Sequence, residues 1–112
     1  MLSWSSAESG SPADVSSIAD GHGDGGVALG AELLAFAEAI ARYDDAALAD
    51  ARDRLAAAAG TDVMIDAAAV AANFEMMTRV ADGTGARFPA EVVDGRAGLT
   101  GSLGIDGMAS RR

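Results

Sequence analysis

His22 is the single histidine of the 112-residue chain, and it sits between Asp20 and Asp24 in a run of glycines. Its ordinary pKa lies near neutrality, and a flanking carboxylate is a common means of orienting an imidazole as a base. The glycines oppose that role, because a general base must be held within hydrogen-bond reach of its substrate. A solvated linker histidine is the favoured reading. The same stretch, Gly21 to Gly26, has the form GxGxxG ahead of a helical pattern. No strand precedes it and no βαβ unit can be built around it, so it is not read as a dinucleotide site. Asp20, His22 and Asp24 with Gly25 also match the opening of a calcium loop. There the closing acid would fall on Ala31, with Glu32 one residue late, and imidazole is a poor ligand for a hard cation. No metal and no cofactor is expected.

Asp66 and Asn73 stand two helical turns apart within an apolar arc. About 10 Å of helix axis separates them, too far for both to chelate one ion or share one substrate atom. They are weak catalytic candidates, and the favoured reading is that each bonds a neighbouring helix or subunit. Glu75, Arg79 and Asp82 form an i, i+4, i+7 ladder, read as a solvent-facing or ion-pairing face that an oligomer interface could also use. Met64, Met76 and Met77 are core filler or a helix-contact surface.

The elements that must position these residues are helices. In the Ser/Gly-rich segment 1–29, Ser11 as N-cap, Pro12 at the first turn and Asp14 as capping acid predict a short helix at about 12–20. From Ala31 to Tyr43, Leu33, Ala37, Ile40 and Ala41 recur at helical spacing, with Glu38 four residues before Arg42. Asp44 and Asp45 stop that helix and cap the next, whose stripe is Leu48, Ala51, Leu55 and Ala58, with Asp50 and Arg54 paired outside and Gly60 at its end. The longest helix is predicted over Asp62–Asp82, capped by Thr61 or Asp62 and ended by Gly83 or Gly85. Its stripe is Val63, Ala67, Val70, Phe74, Met77 and Ala81, widened by Ile65, Met76 and Val80, which predicts a central helix packed on two sides. Pro89 is expected to prevent a restart, and residues 90–112 to form a glycine-rich tail lying over a surface. Residues 30–89 are thus the expected helical core.

Composition bounds the function. The chain has no cysteine and no lysine, eight arginines and a formal net charge of −9. Thiolate catalysis, disulfides and peroxidatic dithiols are excluded, and an acidic surface argues against nucleic acid or an anionic membrane as partner. No run approaches the roughly 20 apolar residues that span a bilayer, and no secretory pattern opens the chain, so the cytoplasm is the expected compartment.

The run Ile65-Asp66-Ala67-Ala68-Ala69-Val70-Ala71-Ala72-Asn73-Phe74, continued by Met76-Met77-Thr78-Arg79-Val80-Ala81-Asp82-Gly83-Thr84-Gly85, resembles the last core helix of the alkylhydroperoxidase D-like and carboxymuconolactone decarboxylase superfamily. Leu33 to Ala39 is similar to the preceding helix of that family, Ser11 to Ile18 to the short helix after its active site, and Leu103 to Ser110, more loosely, to its tail. The resemblance spans about residues 11–110 and implies an all-α bundle of about four helices that assembles into homo-oligomers. It also implies a Cys-x-x-Cys-x-x-x-His motif before Ser11, where residues 1–10 hold neither cysteine nor histidine. The redox pair, its histidine and the upstream glutamate therefore have no matching positions.

The expectation is a non-catalytic or truncated member that self-associates. Two alternatives are a cysteine-independent decarboxylase-type enzyme using Asp66, Asn73 or His22, and one subunit of a split enzyme completed by a second chain.

Overall fold

The computed structural model describes residues 8, 10, 13–20, 23–87 and 89–104. Its elements are α1 (Ser16–Asp20), α2 (Gly30–Arg42), α3 (Asp45–Ala59), α4 (Thr61–Thr84), α5 (Ala90–Asp94) and α6 (Ala97–Ser102), with no strand among the described residues. The chain is all-α, as its helical periodicities require. Among these helices, α2, α3 and α4 build the core, and α1, α5 and α6 are single turns or little more.

Local signals explain where the long helices begin and end. The Asp44 carboxylate accepts the Ala47 amide at 3.0 Å and caps α3, satisfying a donor that has no partner within the helix. Gly60 separates α3 from α4 with φ 92°, and it also serves as N-cap of α4 without a side-chain bond, so neither Thr61 nor Asp62 is the cap. Gly85 ends α4 in the left-handed conformation, donating to the Ala81 and Asp82 carbonyls, while Gly83 is helical. Glu38–Arg42 and Asp50–Arg54 pair across one turn on exposed faces.

Elsewhere the structure departs from the sequence reading. Ser11 and Pro12 lie outside the described residues. Helix α1 starts only at Ser16, whose amide and hydroxyl both donate to the Asp14 carboxylate. Pro89 does not prevent a restart. It precedes α5 directly, because a proline lacks only an N–H that the first turn leaves unpaired anyway. The expected tail therefore contains two short helices, with Val92, Val93, Leu99 and Leu103 half-buried; Ile105 and Met108 lie outside the described residues.

The core is small. Phe36, Ala39, Ala51 and Leu55 are its buried apolar residues, and Leu33, Ala35, Ile40, Leu48, Ala59, Met64, Ala67 and Ala68 pack around them. On α2 the buried centre falls on Phe36 and Ala39, and Ala37 and Ala41 of the expected stripe are exposed. On α3 Ala59, not Ala58, faces inward.

The larger correction concerns α4. It contacts α2 and α3 on one side only, and none of its residues is buried. Met64, Ala67 and Ala68 make the contact. Val63, Ile65, Val70, Phe74, Met76, Met77 and Val80 are instead exposed by 37 to 59%. Small alanines let the helices approach closely, so the bulkier residues of the arc are turned away from the core.

Candidate functional site

The side chains that tie one long helix to another meet at the corner between α2 and α3. Tyr43 ends α2 at φ 56°, with its amide donating to the Ala39 and Ile40 carbonyls. That left-handed turn swings its ring across to α4, where the phenolic hydroxyl donates to Glu75 Oε1 at 3.1 Å. Arg79 donates to the same oxygen through Nε at 2.9 Å and Nη2 at 2.7 Å, and its Nη2 also reaches the Tyr43 hydroxyl at 3.4 Å. The Arg79 guanidinium, and after it the Tyr43 hydroxyl, hold the Glu75 carboxyl below its ordinary value of 4.5. Arg79 is correspondingly shifted upward. This exposed ionic cluster ties the α2–α3 corner to α4 through a single carboxylate oxygen.

Glu75 and Arg79, expected as solvent-facing or ion-pairing positions, do pair at 2.7 Å with side chains 43 and 66% exposed, and Tyr43 is the partner added to them. Asp82 does not join them. It is exposed near the end of α4, and Arg79 is turned toward Glu75 instead. Tyr43 is the residue the sequence reading missed. Its partner stands 32 positions away, and the sole available signal was that the chain's one tyrosine falls where two helices join.

Asp66 and Asn73 point the other way. Both are exposed, and they lie among the exposed apolar residues of α4, away from the Met64, Ala67 and Ala68 contact with the core. Among the described residues, the expected bonds to a neighbouring helix are not formed. Neither lines the open recess beside α1.

His22 lies outside the described residues. The loop after it, Gly23–Leu29, folds back on α1 through a hydrogen bond from the Asp14 amide to the Gly25 carbonyl at 2.8 Å. The Asp24 carboxylate is occupied by the Gly26 amide at 2.9 Å, and Gly23, Gly25 and Gly26 all have positive φ. The glycines therefore serve the turn. Gly30 is the tightest point, since a Cβ there would lie 1.8 Å from the Asp24 carbonyl oxygen. Between this loop, α1 and the start of α2 is an open recess of about 240 Å³, lined mainly by Val15, Ile18, Val27, Leu33 and Leu34. It is below the usual size of a small-molecule site.

Among the described residues, no three His, Cys, Asp or Glu side chains come together in a way that could hold a metal ion. No described helix is long and apolar enough to cross a membrane. No family model, curated protein or solved structure matches the chain.

Proposed function

We propose that the chain is a non-catalytic helical module that associates with copies of itself, and that it is a non-catalytic or truncated relative of the alkylhydroperoxidase D-like superfamily. The resemblance of residues 65–85 to the last core helix of that family supports the second part. The first part rests on one observation, the exposed apolar arc of α4. Taking about 200 Å² for a large apolar side chain, its seven exposed residues present roughly 700 Å². The largest apolar patch of an ordinary monomer is about 300–600 Å². The same arc could accept a different chain, as the split-enzyme reading requires, but nothing on the arc favours a foreign partner over a copy. A cysteine-independent enzyme would need Asp66 and Asn73 to converge on a cavity, and their exposure lends that reading no support.

Light scattering on the pure protein tests the proposal. A mass at a defined multiple of 11.1 kDa is expected. A monomer at concentrations up to the millimolar range would overturn it.

A further inference from the structure

We infer that two copies pair through α4, antiparallel about a two-fold axis, along a seam running from Val63 through Asp66, Val70, Asn73 and Met77 to Val80. The inference rests on the self-association proposed above and adds the face, the direction and the register.

Spacing along the helix carries the first step. These six residues alternate at intervals of three and four, the pattern that keeps one seam facing a partner helix as it supercoils. All six are exposed, and they lie away from the Met64, Ala67 and Ala68 contact that faces α2 and α3. Phe74 and Met76 flank the seam and widen it. With Val63, Val70, Met77 and Val80 these two present roughly 600 Å² of apolar surface, against the about 800 Å² that each partner contributes to a standard interface.

A second copy fits this face better antiparallel than parallel. Parallel pairing would set Asp66 against Asp66 and bring the two Asp62 carboxylates together, between chains that each carry a net charge of −9. Like charges facing across a seam disfavour that arrangement. Antiparallel pairing sends the acidic first turns of α4 toward the end of the opposite helix, where Thr84 and Arg87 stand exposed. The register that sets Asp66 against Thr84 of the second copy also sets Val70 against Val80 and Asn73 against Met77. Asp66 is then offered a hydroxyl and a nearby guanidinium, and apolar layers fill the middle. Length permits it. Helix α3 has 15 residues against 24 for α4, and Tyr43 at the near end of α3 is bonded to Glu75. The last two turns of α4 therefore run past the α2–α3 corner and can lie beside a second copy.

Disulfide mapping tests direction and register together, because the chain has no cysteine of its own. Val70→Cys and Val80→Cys variants, each altered at an exposed position, are mixed with one isotopically labelled and then gently oxidised, with the solution mass measured in parallel. A disulfide needs Cα atoms within about 7 Å, whereas like positions in this register are about 15 Å apart along the axis. The expected result is a dimer in which the mixed Val70–Val80 product exceeds either self-linked product by on the order of tenfold, as proximity dictates. A dimer whose variants link each to itself, or do not link, overturns the pairing but leaves self-association standing. A monomer overturns both.

Discussion

Leu55→Ala is the most informative single change to the fold, because Leu55 is, among the described residues, the one large side chain with no exposed surface. It is clustered with Phe36 and Ala51, and Leu33, Ile40, Leu48, Met64 and four alanines pack against that cluster. Cutting its isobutyl group back to methyl forfeits roughly 2 kcal/mol of apolar burial. A cavity penalty is added, so the total is about 3 to 4 kcal/mol. With a urea slope of roughly 1.2 kcal/mol/M for a domain of this size, the midpoint falls by about 2.5 to 3 M. Small domains are stable by only about 5 kcal/mol, so the variant stands near the edge of unfolding. The assay is urea denaturation followed by circular dichroism, at a fixed concentration low enough that association adds nothing. Phe74→Ala, which removes a larger side chain from the exposed arc, is expected to move the midpoint by less than about 0.5 M under those conditions. The reverse order would refute a core centred on α3 and restore one centred on the arc of α4.

Other outcomes follow from single contacts. Asp44→Ala removes the cap of α3 and is expected to lower stability by about 1 kcal/mol in the same denaturation assay, and Asp44→Asn by much less. Gly30→Ala drives a methyl group into the Asp24 carbonyl, so the Gly23–Leu29 loop must leave its place on α1; faster proteolysis within that loop checks it. Glu75 has its pKa lowered in the fold, so its contribution is fully present above the unfolded value of 4.5 and is lost as pH falls through the folded value. Tyr43→Phe raises the Glu75 midpoint toward 4.5, and Arg79→Gln raises it further, both readable by carbon NMR titration of the carboxyl group. An unchanged midpoint in Tyr43→Phe would show that the corner hydrogen bond is absent in solution.

What the sequence made legible is whatever depends on neighbours within one or two turns. The Asp44 cap, the glycine ends of α3 and α4, and the Glu38–Arg42 and Asp50–Arg54 pairs are all local, and their residue types suffice to place them. The Tyr43–Glu75 bond is not local, so it was out of reach. The orientation of α4 was misread for a different reason. An apolar arc wider than half of a helix can be buried on either of its edges, and periodicity identifies the arc without choosing the edge. Alanine chose it. Ala67 and Ala68, with Met64, pack against the cluster of Phe36, Ala51 and Leu55, while the heavier Val70, Phe74 and Met77, which a hydropathy stripe weights most, face away. Glu75 stands at the border of the alanine edge, bonded to Tyr43 and Arg79, and Asp66 and Asn73 follow the heavy edge outward.

That inversion bears on what the exposed arc is for. Covering even half of the arc on each of two copies removes roughly 700 Å² of apolar surface from water, worth about 18 kcal/mol at 25 cal/mol per Å² as an upper figure. Association costs on the order of 4 to 15 kcal/mol in lost freedom, to which the ordering of side chains and the repulsion between two chains of net charge −9 are added, so the area alone sets no affinity. A purely apolar face of that size would also pair in any register and grow without limit. In the proposed pairing Asp66 opposes this. Its register places that carboxylate against Thr84, whereas a carboxylate that meets only methyl groups costs several kcal/mol. A polar residue on the seam would thus limit the alignments the helix accepts, which is the role polar residues have in other helical seams. Asp66, a candidate for catalysis in the sequence, would then be the residue that determines which alignment forms.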